Sequence, residues 1–214
     1  MSGVVLHGYW RSSAAYRVRM ALNLKGVAYT QINHDLRIGA QRDDAYLAIA
    51  PHGLVPALQV DGRVLIESPA ILEWIDARWP EPTLLPRDED DKAIVRSMAA
   101  LIACDIHPLN NLRILKALKH DFGADQAQID AWTHRWIGAG FGALEQMIAR
   151  HGDGFAFGDA PTLADCYLVP QLFNARRSGV DLTPYPALVA AGDKAAALTT
   201  VAAARPDVQP DADR

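Results

Sequence analysis

Cysteine is scarce, with only Cys104 and Cys166 among 214 residues. Two thiols so far apart form no CxxC pair and cannot build a disulfide framework, so a reducing compartment is the simpler expectation. Positive charge is not in excess either. The 21 Lys and Arg against 25 Asp and Glu give a net charge of −4, which offers no general attraction to nucleic acid or an anionic membrane. An anionic ligand would therefore need a local cationic site. No apolar run is long enough to cross a bilayer. The start, Met1 to Tyr9, passes into Arg11 without the apolar stretch of a signal peptide. There is no internal repeat. The histidines are scattered, without partners at metal-ligand spacing, so no metal is expected. These absences point to a soluble cytoplasmic protein with no nucleic-acid or membrane partner.

What is present has the balance of a globular chain, 50% hydrophobic and 21% charged, enough for one large domain or two small ones. Val4 to Tyr9 is β-rich. From Ser13 to Lys25, Val18, Ala21, Leu22 and Leu24 recur at helical spacing, and Gly26 after Lys25 is a helix stop. Val27 to Asn33 reads as a second strand, which gives a parallel βαβ unit. A short helix is expected between Gln41 and Ile49, then a strand over Leu54–Val60. Asp61-Gly62 is a hairpin signal, with Val64–Ile66 as the return strand. Ser68-Pro69 reads as a helix start, the hydroxyl capping and the proline at the first helical position.

Composition then shifts. Pro80, Pro82 and Pro86 among acidic residues mark a linker, and beyond it only helical patterns occur. Ala93 to Cys104 is one, interrupted by Pro108. Asp125 can cap a long helix to Arg150. Thr162 to Asp165 has the form of a capping box, opening a helix that contains Pro170 and runs to about Arg177. Arg205 to Arg214 reads as a frayed tail. The expected organisation is a βαβ-α-ββα domain over 1–80, a linker over 81–91 and an all-α domain over 92–214.

That order, with Val55-Pro56 before the third strand and Glu67-Ser68 at the third helix, resembles the thioredoxin-like domain of glutathione transferases. The run Arg11-Ser12-Ser13-Ala14-Ala15-Tyr16-Arg17-Val18-Arg19 resembles the signature of the zeta class. Asp105 to Arg113, Thr162 to Gln171 and Asp181 to Pro186 resemble that class's helical domain. The likeness covers about Leu6 to Pro186, in order and spacing. Ala14 stands where maleylacetoacetate isomerases usually have cysteine, and the tract with His107 and Arg113 is more like the bacterial maleylpyruvate isomerases. The resemblance implies the glutathione transferase fold, a homodimer, glutathione as cofactor, and cis–trans isomerisation of a small maleyl-type dicarboxylic acid. Alternatives are maleylacetoacetate as substrate, a transferase that conjugates electrophiles, or a non-catalytic glutathione-binding module.

Rotation about a cis double bond requires that bond to become single, which a thiolate achieves by adding next to a carbonyl. With Ala14 in place of cysteine, the resemblance assigns the thiol to glutathione. It implies Ser12 as the group that activates the sulfur, with Ser13 and Ala14 beside it. Glu67 and Ser68 would take the γ-glutamyl end, the backbone of Val55 beside a cis Pro56 the cysteinyl part, and Gln41 the glycine end. Arg11 and Arg177 would hold the substrate's carboxylates, because arginine binds carboxylates through two parallel bonds. Arg113 would steady the enolate formed by addition, or the glutathione. His107 and Asn111, four apart and so expected on one helical face, would contact glutathione together with Leu112. Each serine could also be a simple cap, Gln41 a solvated loop residue, and Arg177 mere helix-end charge like Arg176. Arg17 and Arg19 read as structural, placed at a dimer interface. Cys104 and Cys166 read as buried small hydrophobes.

Overall fold

A computed structural model describes residues 3–213 and divides the chain into two units, one reaching to Thr83 and rejoined by the chain from Ala197, the other Leu84–Ala196. The C-terminal segment, expected within a helical domain over 92–214, thus belongs to the first unit.

The first unit is built on a four-stranded sheet of order β2-β1-β3-β4, formed by β1 (Val4–Gly8), β2 (Tyr29–Asn33), β3 (Ala57–Val60) and β4 (Arg63–Ile66). β1 and β2 run parallel, in register from Val4 opposite Tyr29 to Gly8 opposite Asn33, as a crossover through α1 (Ser13–Leu24) requires. β3 is antiparallel to both β1 and β4. The β3–β4 turn holds Asp61 at φ 49° and Gly62 at φ 74°, the left-handed pair that an Asp-Gly hairpin favours. α3 (Ser68–Arg78) packs on α1, and Leu6, Val18, Leu22, Leu58, Ile71, Leu72 and Ile75 are fully buried. Lys25, at the end of α1, donates to the Asp76 carboxylate at 2.6 Å and to the Pro82 carbonyl at 2.5 Å. The helix expected over 41–49 is a 3₁₀ turn, Ala40–Arg42, followed by one helical turn, α2 (Asp44–Leu47). A further short helix, α9 (Thr199–Ala202), also packs on α1.

The second unit is helical. α4 (Glu89–Ala100) begins inside the stretch read as linker, because the Asp88 side chain accepts the N–H groups of Asp90 and Asp91 as its cap. It continues into a wide π-helical turn, Leu101–Ile106, and a 3₁₀ turn, Pro108–Asn110, before α5 (Leu112–His120). α6 (Gln126–His151) starts on the expected Asp125 cap, with a reciprocal bond from the Asp125 N–H to Gln128. α7 (Leu163–Arg177) carries Pro170 inside it, and α8 (Pro186–Ala196) packs against α6 and α7. Asp165 is 0% exposed and accepts from the Thr162 N–H (2.8 Å), the Thr162 hydroxyl (3.1 Å) and the Ala156 N–H (2.9 Å). Burial outweighs these donors and pushes its carboxyl up to about 6. Among the described residues, no helix is long and apolar enough to cross a membrane, and no cluster of three metal-ligating side chains occurs.

Two side-chain expectations change. Cys166 is buried, but Cys104 lies exposed on the wide turn. Arg17 and Arg19, 1% and 0% exposed, are enclosed within the first unit, so neither can sit at a dimer interface.

Candidate active site

The first unit gathers its candidate residues at two helix starts and one loop. Ser12 is the N-cap of α1, in extended conformation at φ −69° and ψ 116°. Its Oγ accepts the Ala15 N–H at 3.2 Å, while its own N–H bonds the Tyr9 carbonyl at 3.0 Å. A serine hydroxyl has two acceptor lone pairs and one proton, so capping uses one lone pair and leaves the proton to be donated. The helix orients the hydroxyl; it does not consume it. Ser13 is the first helical residue and Ala14 is buried at 8% exposure. Arg11 is exposed, its guanidinium 5.7 Å from the centre of the Trp10 ring.

At the second helix start the cap differs from expectation. Glu67, not Ser68, occupies the N-cap of α3, with φ 66° and ψ 113°. That conformation is costly for a residue with a Cβ and is maintained only where surrounding structure enforces it. The Glu67 side chain makes no cap bond and is mostly exposed, 4.0 Å from His52 Nε2. Ser68 is displaced from the capping role because its Oγ, buried at 3% residue exposure, accepts from Nη1 of Arg17 at 3.2 Å. Arg17 lies on α1, so this bond ties the two helix starts together. Neither His52 nor Arg17 was among the sequence-derived site residues. The Arg17 side of α1 carried only helical periodicity, and a partner 51 residues away leaves no local trace.

Val55 precedes a cis peptide to Pro56, and β3 begins only at Ala57. Among the described residues, the fold's backbone hydrogen bonds leave the N–H and C=O of Val55 unused. Gln41 sits in the 3₁₀ turn, half-buried, and its Oε1 is buried without a hydrogen-bond partner among the described residues. This is not the solvated loop glutamine that was the alternative. Its segment is held against the sheet by Tyr46, whose hydroxyl donates to the Leu54 carbonyl at 2.7 Å. The Tyr46 ring lies 4.1 Å from His34, which is hydrogen-bonded to His7 on β1 at 3.0 Å.

In the second unit, His107 follows the wide turn, its N–H bonded to the Ile102 carbonyl at 2.8 Å. It does not share a helical turn with Asn111. Pro108 lacks the N–H a continuous helix would use, the chain turns as 3₁₀ and then extends at Asn111 (φ −68°, ψ 145°). The Asn111 side chain caps α5 by accepting the Arg113 N–H at 3.2 Å. Leu112 and Arg113, both exposed, open that helix. The paired arginines at the end of α7 differ in partner. Arg176 makes two bonds to the Asp193 carboxylate, 2.7 and 2.9 Å, whereas Arg177 donates to the neutral Asn174 amide at 2.6 Å. Arg176 is neutralised by the Asp193 carboxylate.

Taken together, the first unit offers a hydroxyl donor at a helix start, an unused backbone pair, and a buried amide oxygen that accepts N–H groups. Such a set can bind an extended peptide bearing a thiol.

Two family models match, glutathione S-transferase N-terminal domain over residues 11–78 and C-terminal domain over residues 126–191. A maleylpyruvate isomerase of Ralstonia sp is 49% identical over 96% of this chain and 98% of its own. The holo structure of a maleyl pyruvate isomerase, described as a bacterial zeta-class glutathione S-transferase, superposes with a TM-score of 0.96 at 48% identity, covering 98% of this chain and 100% of that one. A maleylacetoacetate isomerase from Anaeromyxobacter dehalogenans, solved with glutathione in its active site, gives a TM-score of 0.89 at 44% identity, covering 99% and 98%.

Proposed function

The chain belongs to the glutathione S-transferase family, and from that premise we propose that it is a glutathione-dependent cis–trans isomerase converting maleylpyruvate to fumarylpyruvate. The observation that carries the reading is the Ser12 hydroxyl, fixed as an acceptor at the start of a 12-residue helix with its proton left to donate, in a chain where Ala14 supplies no thiol of its own. When bound, glutathione supplies a thiol that as thiolate adds to the alkene, permits rotation and departs.

The chain's task is to keep that sulfur ionised. A free thiol titrates near about 8.5, and lowering it by two units requires about 2.7 kcal/mol. The N-terminus of α1 contributes about 0.3–2 kcal/mol. A hydrogen bond from Ser12 to a charged sulfur contributes about 1.5–3 kcal/mol. Together they reach the requirement; the helix alone does not.

Gln41, Val55, Glu67 and Ser68 fit the rest of the tripeptide. The buried Oε1 of Gln41 is a hydrogen-bond acceptor without a donor among the described residues. The Val55 backbone can pair as a strand with the cysteinyl part. Ser68 and the following amides of α3 form an anion site for the γ-glutamyl carboxylate. Ser13 and Ala14 line the sulfur end, and His107, Asn111, Leu112 and Arg113 are assigned to the cofactor from the second unit. Arg11 and Arg177 hold the substrate carboxylates, and Arg113 offsets charge that develops during addition. A homodimer in the cytoplasm, acting in aromatic-compound breakdown, completes the proposal, resting on family membership.

Maleylacetoacetate is the alternative substrate, since relatives of both kinds share the whole chain. The purified protein should be given each acid with and without glutathione. Trans product formed without net glutathione consumption supports an isomerase, and the faster acid identifies the substrate. A stable conjugate would indicate a transferase, and full-rate isomerisation without glutathione would end the proposal.

A further inference from the structure

The stretch read from sequence as a frayed tail, Arg205 to Arg214, is anchored through its described residues, up to Asp213, and Arg214 lies outside them. Pro206 and Ala204 are buried, and Gln209 donates to the carbonyls of Ala203 (3.1 Å) and Arg205 (2.8 Å), winding the segment on itself. Through Asp211 it reaches one turn, Tyr9 to Ser12, closed by the Ser12 N–H on the Tyr9 carbonyl. At Trp10, inside that turn, both backbone groups are held from outside. Its N–H donates to Oδ2 of Asp211 at 3.0 Å. Its carbonyl accepts Nη2 of the fully buried Arg19 at 3.0 Å, and Arg19 Nε donates to the Ala204 carbonyl at 2.9 Å. Arg37 anchors the end of the tail through both oxygens of Asp213, at 2.8 and 2.9 Å.

Local sequence cannot fix such a turn. Ser12 is held to α1 through its cap bond and the Trp10 carbonyl by Arg19 of the same helix, but the Trp10 N–H is held by a group 201 positions along the chain, Asp211. The choice of residue is also informative. A carboxylate bonded to Trp10, two residues before Ser12, opposes a thiolate by charge. In addition, Oδ1 of Asp211 is buried with no partner among the described residues, a burial that costs stability. Neither property helps ionise a sulfur. What the carboxylate supplies is a fixed acceptor for Trp10 and a counter-charge to buried Arg19, which holds the same residue's carbonyl.

We propose that the segment from Ala204 to Asp213 is a positioning element for the sulfur-activating turn, acting on Ser12 and Arg11 through Asp211. This rests on the reading of Ser12 as the group that stabilises the glutathione thiolate. Asp211 touches neither sulfur nor substrate and is a positioning residue. Charge and position act with opposite signs here, so they can be separated.

The test uses the full chain with glutathione bound, following thiolate ultraviolet absorbance against pH, with glutathione affinity measured by calorimetry. Asp211→Ala removes both the charge and the acceptor. If position governs, the pKa of the bound thiol rises by about one unit, a tenfold loss of thiolate at any pH well below both values, while affinity stays within about twofold because the γ-glutamyl end is held elsewhere. Asp211→Asn keeps an acceptor oxygen and loses the charge, so its thiol pKa stays at or below the parent value. Asp213→Ala releases the tail from Arg37 at an exposed contact while keeping the Arg37 cation, and should raise the pKa by a smaller amount although it removes a negative charge; it carries the test should Asp211→Ala fail to fold. A fall in pKa for both Asp211 variants, or no rise in Asp211→Ala and Asp213→Ala, overturns the inference. Ser12→Ala separates the two levels. If it shifts the titration and the tail variants do not, the inference alone fails; if it does not shift it, the reading of Ser12 fails as well.

Discussion

Gly140 and Ile106 allow packing to be tested as a determinant of the site in the second unit. Gly140 lies on the buried face of α6, and Ile106 is the residue before His107. A methyl at position 140 would lie 2.3 Å from Ile106 Cδ1 and 2.4 Å from Cγ1, but 3.9 Å from Cβ. Comfortable carbon contact begins more than about 1 Å further out. Gly140→Ala must therefore displace the buried Ile106 side chain by about that distance and press it against the wide turn that carries it. Overpacking of this kind costs about 1–3 kcal/mol. A shift of ~1 Å in groups that position a substrate can cost ~100-fold in rate. We expect the variant to lose about 1–3 kcal/mol in urea unfolding and about 10–100-fold in kcat/KM.

Ile106→Ala removes both offending atoms and keeps Cβ. Alone it should cost about 2–5 kcal/mol. In the double variant the new methyl fits, so stability should be no lower than in Ile106→Ala, a coupling of at least about 1 kcal/mol, and part of the lost kcat/KM should return. Strictly additive costs, or a Gly140→Ala variant as stable and active as the parent, would refute the packing account.

Two other outcomes are expected. Asp165 holds a proton in the folded chain over a window where the unfolded chain, at the ordinary value of 3.8, has lost it, up to about 6. Its contribution to stability is thus full below the unfolded value and is lost as pH rises through the folded one. Asp165→Asn should remove that slope, and urea midpoints taken at a series of pH values across the window should be flatter than the parent's; identical slopes contradict the assignment. Arg177→Ala should raise the substrate KM by about 10–100-fold, the worth of a charge-assisted bond, with glutathione affinity intact. Arg176→Ala, which loses only an exposed pair with Asp193, should change stability by about 0–1 kcal/mol and leave activity alone. Equal loss of substrate and glutathione binding in Arg177→Ala would remove it from its assigned role.

The features legible in the sequence are those whose causes lie within a few residues. Asp61-Gly62 adopts the positive φ values its turn needs, Asp125 and Thr162 cap the helices they precede, and the parallel β1–α1–β2 unit follows from its periodicities. What escaped notice depends on distant partners. Ser68 has the composition of a cap, yet Arg17 takes its oxygen and Glu67 assumes the cap position. The tail has the polarity of a frayed end, but Asp211 and Asp213 find Trp10 and Arg37. His107 and Asn111 stand at helical spacing, and Pro108 breaks the geometry that spacing presumes. Cys104 looks apolar in composition, but the wide turn swings it to the surface.

The backbone at Glu67 has an evolutionary corollary. Glycine would relax a φ of 66° and should raise the melting temperature, yet it would delete the carboxylate assigned to the γ-glutamyl end. Directed evolution for heat tolerance alone would drift toward glycine there, and the survivors would be sturdier proteins that had forgotten their tripeptide.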